Sequence, residues 1–200
     1  RIPVAHIHGG EITEGVIDEL FRHSITKMAH LHFVATREYG ARIAQMGEED
    51  WRIHVTGAPG LDNFHGLEIP PREEIAARFD LDLDRPTLVA TYHPLTLMSE
   101  GPDAEIDDLL AAIAEIGVQV VFTYPNADSG GRALIVRIEE FCASYRGARL
   151  AVNASQPIYI GLMKYVWAMA GNSSSGIIEA ASFALPVVNV GPRQAGRVRA

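Results

Sequence analysis

Short apolar runs alternate with segments of helical period along the whole chain, with no internal repeat and no low-complexity stretch. Strands are predicted at 2–7, 31–35, 52–56, 87–91, 119–123, 150–152, 165–168 and 187–190. Several of these runs are apolar without interruption, as in strands buried on both faces of a parallel sheet. Helices are predicted between them, at 38–46, 72–79, 106–116, 133–145, 158–164 and 176–183. A further one begins after Thr13, read as its cap. It carries Val16, Ile17, Leu20, Phe21, Ile25 and Met28 on one side and Asp18, Glu19, Arg22, His23, Thr26 and Lys27 on the other. Alternation of this kind predicts an α/β fold with helices covering the sheets.

The pattern breaks near 61–85. Leu67-Glu68-Ile69-Pro70-Pro71 reads as a connection, because each proline disfavours helix in the residue before it. The expected division is an incomplete first domain at 1–66, a linker at 67–85, and a second domain at 86–200 that is incomplete at its end. The chain opens at Arg1 directly before a core-like strand, without an initiator Met or a signal-peptide pattern, and it stops in an arginine-rich stretch. We read it as an internal fragment of a longer polypeptide, deficient in catalysis on its own.

Composition narrows the function. The chain has 200 residues, 48% of them hydrophobic, which suits a globular protein with a real core. Its net charge of −8 argues against general nucleic-acid binding, which needs a broad basic surface. A few local cations can still hold an anionic small molecule. The single cysteine, Cys142, excludes an intramolecular disulfide and a cysteine-based zinc site, and it fits the reducing cytoplasm. No run of roughly 18 apolar residues is present, so no transmembrane helix is expected.

Five segments can carry chemistry. In His6-Ile7-His8-Gly9-Gly10-Glu11 a strand runs into two glycines, which let the backbone turn tightly, and a helix with Asp18, Glu19, Arg22 and His23 follows. His8, Glu11 and Asp18 can converge above a strand end, with Arg22 one turn after Asp18. A solvated helix face beside a glycine turn fits the spacing equally well. In Thr91-Tyr92-His93-Pro94 the histidine opens a βα loop, where it can meet a phosphate or act as an acid, or simply cap the loop. Tyr124-Pro125-Asn126-Ala127-Asp128 also lies at a strand end, and Asn126 can read a base or sugar edge or serve a proline-directed turn.

The fourth segment is the most informative. Gly171-Asn172-Ser173-Ser174-Ser175-Gly176-Ile177-Ile178-Glu179 leads from an apolar run into a helix, with more serines than one helix cap requires. Small residues there expose backbone N–H groups and hydroxyls to a phosphate. No Walker A loop and no Gly-x-Gly-x-x-Gly fingerprint is present. Glu179, about one turn inside, can grip a vicinal diol. In the fifth segment, Asn189-Val190-Gly191-Pro192-Arg193-Gln194-Ala195-Gly196-Arg197, Arg193 follows the last strand in a locally basic end.

Together the stretches His6 to Glu11, Ile17 to Ala35, Thr91 to Pro94, Tyr124 to Asp128 and Gly171 to Arg197 resemble the hydrolysing UDP-N-acetylglucosamine 2-epimerases, which begin sialic-acid synthesis. The similarity spans essentially the whole chain. It implies a glycosyltransferase-B-like architecture of two Rossmann-like domains facing a cleft, with UDP mainly against the second. It implies that His93 meets the diphosphate, Asn126 the uracil or ribose, and Ser173, Ser174, Ser175 and Gly176 the phosphates. Glu179 would bind the ribose hydroxyls, and Arg193 would lie at the nucleotide. Asp18 matches a family catalytic carboxylate. His8 stands where some relatives have a glutamate, so His8 and Glu11 both remain candidates for the second acid or base, and His93 for an acid. A further family aspartate lies upstream of the first strand here.

The reaction implied is elimination of UDP across C1–C2 to a 2-acetamidoglucal, then hydration with inversion at C2 to N-acetylmannosamine. No cofactor is expected, since nothing in the chain supports oxidation of the sugar. GDP-N-acetylglucosamine and UDP-diacetylbacillosamine are alternative substrates. A glycosyltransferase and a non-catalytic nucleotide-binding fragment are alternative classes. A homo-oligomer, dimer or tetramer, is expected, with no nucleic-acid or membrane partner.

Overall fold

The structure, a computed structural model, describes residues 2–14, 17–94, 104–125 and 131–198. It forms two compact units, Arg1–His65 with Arg193–Ala200, and Gly66–Pro192.

The first unit holds a parallel sheet of β1 (Ala5–Ile7), β2 (Leu31–Val34) and β3 (Ile53–Val55) in the order β1-β2-β3. His6 stands beside His32, and Phe33 beside His54, whose rings stack at 5.3 Å. Two helices accompany it, α1 (Asp18–Met28) and α2 (Arg37–Gln45). Thr36 caps α2 by accepting from the Tyr39 N–H at 3.3 Å. The core is small: Val34, Tyr39 and Ile43, with Ala35, Ile53 and Val198 packed on it.

Helix α1 departs from expectation twice. It starts at Asp18, so Thr13 is not its cap. The Thr13 N–H instead donates to Glu19 Oε2 at 2.8 Å. The apolar side also faces outward. Leu20, Phe21 and Met28 are 65%, 58% and 67% exposed, whereas the polar Thr26 is fully buried and hydrogen-bonded to His6 Nδ1 at 3.1 Å. Val16 lies outside the described residues.

The second unit begins earlier than the pattern suggested. Residues 67–85, expected as a linker, contain α3 (Arg72–Phe79) and bury Ile75, Phe79 and Leu83. The remaining elements are β4 (Thr87–Thr91), α4 (Ala104–Ile116), β5 (Gln119–Thr123), α5 (Gly131–Ser144), β6 (Ala148–Ala151), α6 (Gln156–Tyr165), β7 (Ala168–Gly171), α7 (Ser175–Ile178) and β8 (Val187–Asn189). The five strands are all parallel, in the order β6-β5-β4-β7-β8. Ile75 of α3 lies against Gly161 of α6, and the Tyr165 hydroxyl donates to Pro70 O at 3.2 Å. A continuous core joins Ala90, Val120 and Phe122 of the sheet to Ile106, Leu110 and Ile113 of α4 and to Leu134 and Ile138 of α5.

Strand β7 sits three residues later than the predicted 165–168. Helix α6 runs through Tyr165, and the chain turns extended at Val166. The apolar stretch 160–170 has no glycine or proline at that junction, so periodicity alone cannot divide it between helix and strand. The helix predicted at 176–183 is a four-residue α7 followed by a 3-10 turn, Ala180–Phe183, which ends at Ala184 with φ 49°. The chain end is a further correction. Arg193–Ala200 groups with the first unit, not with 86–192, because the Glu14 N–H donates to Ala195 O at 3.2 Å and the Val198 N–H to the Tyr39 hydroxyl at 3.3 Å.

Candidate active site

In the second unit the strand ends converge. Parallel pairing places Thr91 beside Thr123 and Gly171, and Thr123 beside Ala151. Ligands of open parallel sheets gather at this carboxyl edge. A cleft of about 490 Å³ opens there, lined by His93, Tyr124, Tyr159, Ser173 and Ser175 among others. Thr91 and Thr123 share a hydroxyl hydrogen bond at 2.6 Å on its floor.

Asn172 fixes His93. Its Oδ1 accepts from the His93 N–H at 2.6 Å, its Nδ2 donates to His93 O at 2.8 Å, and its own N–H donates to Thr91 O at 3.0 Å. One buried amide therefore satisfies both backbone groups of His93 and ties the end of β4 to the end of β7. Gly171 permits the approach. Its φ is 129°, and a Cβ there would lie 2.0 Å from Thr91 O.

The serine segment divides its work. Ser173 Oγ accepts from the Ser175 N–H at 3.3 Å, and both residues line the cleft. The Tyr159 hydroxyl meets the hydroxyls of Ser175, Thr91 and Ser173; burial raises its pKa. Ser174 precedes α7, Gly176 packs under Val187, and Glu179 ends α7 close enough to Tyr159 for its charge to be felt there. Arg193 does not line this cleft; it belongs to the segment grouped with the first unit. Asn126 lies outside the described residues, although Tyr124 and Pro125 before it line the cleft.

In the first unit the glycine turn after β1 builds a charged cluster. His8 adopts a left-handed φ of 61°. Gly10 has φ 76°, and a Cβ there would lie 2.3 Å from Tyr39 O, so the turn needs glycine. Arg42 donates to Gly10 O. Glu11 is buried between His8 Nδ1 at 2.8 Å and Arg197 Nη1 at 3.1 Å, and its carbonyl accepts from Arg22 at 3.2 Å. Burial pushes the Glu11 carboxyl up, but the His8 hydrogen bond and the charges of Arg197, His8 and Arg22 outweigh it and hold the pKa below the usual carboxylate value. Burial, with the neighbouring charges of His32, Arg22, His23 and His8, lowers the pKa of His6.

His8 and Glu11 are thus brought together, and Asp18 lies on the neighbouring helix. It is exposed in the first turn of α1, and Arg22 pairs with Glu19 at 2.8 Å instead. Glu19 also accepts from Thr13 N and pairs with His23 Nε2 at 2.8 Å. Sequence reasoning passed over Glu19, Tyr159 and Arg197 as site residues. Arg197 stood in the noted basic end, and Tyr159 was a polar residue between two isoleucines. Among the described residues no three His, Cys, Asp or Glu side chains are grouped to hold a metal. No described helix is long and apolar enough to cross a membrane.

Two α/β units, each built on a parallel sheet, give the chain a glycosyltransferase-B-like fold class. The Neisseria meningitidis UDP-GlcNAc 2-epimerase bound to UDP-GlcNAc shares this fold, with a TM-score of 0.77 at 18% identity over 94% of this chain and 53% of that one. The chain belongs to the UDP-N-acetylglucosamine 2-epimerase family, whose model matches residues 1–200. It is 38% identical over its whole length to the polysialic acid biosynthesis protein P7 of Escherichia coli, covering 51% of that protein. It is also 38% identical to the GDP/UDP-N,N'-diacetylbacillosamine 2-epimerase (hydrolyzing) of Campylobacter jejuni, covering 52%. The chain therefore spans about half the length of these relatives.

Proposed function

We propose that the chain serves a hydrolysing 2-epimerase that converts UDP-N-acetylglucosamine to N-acetylmannosamine and UDP. The observation that carries the reading is the buried Glu11 carboxylate, kept ionised by His8 and Arg197 beside a glycine turn. The C2 proton of the sugar is not next to a carbonyl, so a base must remove it as a leaving group departs. A carboxylate takes that proton, the electron pair forms C1=C2, and the C1–O bond breaks with its pair on the diphosphate. Water then adds its oxygen at C1 while a proton returns to the opposite face of C2. Such a path needs paired acid and base groups and stabilisation of the diphosphate.

Glu11, with His8, and Asp18 are the acid/base candidates. His93 meets the diphosphate and can protonate it, with Ser173, Ser174, Ser175 and Gly176 around the phosphates. Glu179 takes the ribose hydroxyls, Asn126 the base or ribose, and Arg193 the nucleotide. Hydrolysis is supported by the name of the Campylobacter relative, and a place in sialic-acid synthesis by that of the Escherichia coli relative. The Campylobacter name also favours a second reading, in which the sugar is diacetylbacillosamine. The single cysteine fits a reducing compartment, and we place the reaction in the cytoplasm.

The test is to incubate the complete protein with UDP-N-acetylglucosamine and with UDP- and GDP-diacetylbacillosamine. Free UDP with free N-acetylmannosamine is expected. Faster release from diacetylbacillosamine substrates would favour the second reading. A nucleotide-linked 2-epimer without free nucleotide would overturn hydrolysis.

A further inference from the structure

Glu19 turns both oxygens of its carboxylate to neighbours in the first unit. Oε2 accepts from the Thr13 N–H at 2.8 Å and from Arg22 Nη1 at 2.8 Å, and Oε1 meets His23 Nε2 at 2.8 Å. Thr13 is buried, and the Glu19 and Arg22 side chains are only 22% and 14% exposed. A buried backbone N–H needs such an acceptor. An isolated surface ion pair would contribute little, but three partners on one half-buried carboxylate fix each other's geometry.

The bonds lead back to the charged cluster. Arg22 Nη1 also donates to Glu11 O at 3.2 Å. Glu19 therefore holds Thr13 directly and Glu11 through Arg22, so the backbone on both sides of Ile12 is fastened to α1. That short stretch carries the Glu11 carboxylate, set between His8 and Arg197. Arg22 is felt there electrostatically as well. Burial raises the Glu11 carboxyl, and the His8 hydrogen bond with the charges of Arg197, His8 and Arg22 holds it below its ordinary value. Where Glu19 holds the Arg22 guanidinium thus bears on both the place and the charge of Glu11.

We infer that Glu19 is a positioning residue, which fixes Glu11 for proton transfer through the Thr13 backbone and Arg22. The inference rests on the proposed reading of Glu11 as an acid/base group. The experiment is Glu19→Gln in the complete protein, assayed on UDP-N-acetylglucosamine. A carboxylate only accepts, so His23 meets it through an Nε2–H, and all three partners donate. The glutamine amide must turn its own donor toward one of them. Its kcat is expected to fall by about 10- to 100-fold, with KM and calorimetric UDP affinity within about 3-fold of wild type. Glu19→Asp keeps an acceptor-only group on a stem one carbon shorter and is expected to recover at least about 3-fold of that loss. If circular dichroism shows Glu19→Gln unfolded, Glu19→Asp replaces it, with kcat at least about 3-fold below wild type and KM unchanged. The readout that a merely structural role would not move is the combination with Glu11→Gln. A residue acting through Glu11 leaves the double variant within about 3-fold of Glu11→Gln alone, whereas an independent structural penalty multiplies in full. Unchanged kcat, a parallel loss of UDP affinity, no recovery with aspartate, or multiplied penalties would each overturn the inference alone. A wild type that releases no free nucleotide would instead overturn the epimerase reading, and the inference with it.

Discussion

Helices α1 and α4 look alike in the sequence and are used in opposite ways. Each carries a stripe of large aliphatic residues at helical spacing. In α4, Ile106, Leu109, Leu110 and Ile113 are all buried against the five-stranded sheet. In α1 the stripe is outside, Thr26 and Arg22 turn toward β1 and the glycine turn, and His23 pairs with Glu19 of the same helix. The reason lies beneath each helix. The sheet under α4 offers Ala90, Val120 and Phe122, whereas β1 and β2 offer His6 and His32, which need polar partners. An amphipathic period identifies an apolar face; the chemistry of the neighbouring strands decides whether that face points inward.

The largest effect is expected from Ile113→Ala. It removes a fully buried side chain from the α4 core and should lower unfolding stability by about 2–5 kcal/mol, measured by urea denaturation. A change below about 1 kcal/mol would mean that α4 is not packed as described. Next comes Asn172→Ala. It strands the buried N–H and C=O of His93 and should cost about 2 kcal/mol, with UDP affinity falling in parallel if His93 meets the diphosphate. Stability lost with UDP affinity unchanged would remove His93 from the nucleotide site.

Acid titration probes the first unit. The folded pKa of Glu11 is depressed, so its contribution is fully present above its unfolded value of about 4.5 and is lost as pH falls through the lower folded value. Wild type should therefore lead Glu11→Gln in melting temperature at pH 6 and lose that lead progressively below pH of about 4.5. A lead that persists unchanged at lower pH would show that the carboxylate charge is not its source. The smallest effect belongs to Leu20→Ser on α1. With its side chain 65% exposed, the fold of the protomer should change in stability by no more than about 0.5 kcal/mol, against several for the same change at Leu110.

Fold class was legible because strand periodicity is strong where both faces are buried: β4 and β5 fall at the residues their apolar runs marked out. What was not legible depended on contacts distant in sequence. Nothing local in Ile75 or Phe79 says that they pack in the second unit, so 67–85 read as a linker. Arg197 meets Glu11 across nearly the whole chain, a pairing that no spacing rule reaches. Asp18 and Arg22 satisfied the helical spacing rule, yet Arg22 pairs with Glu19, which also ties down Thr13. The strand-end positions of His93, Ser173 and Ser175 could be read from the chain; the clamp by Asn172 and the hydroxyl contacts of Tyr159 needed the sheet order.

We propose a division of labour, with proton transfer in the first unit and nucleotide binding at the strand ends of the second. Calorimetric titration of UDP into the complete protein carrying Glu11→Gln tests it most directly, alongside turnover of the nucleotide sugar. UDP affinity is expected to stay within about 3-fold of wild type while turnover falls by about 100-fold or more, since a group acting only in the transition state leaves product binding intact. Loss of UDP affinity by about 10-fold or more in a normally folded Glu11→Gln protein, with turnover reduced no further, would contradict it and make Glu11 a binding residue.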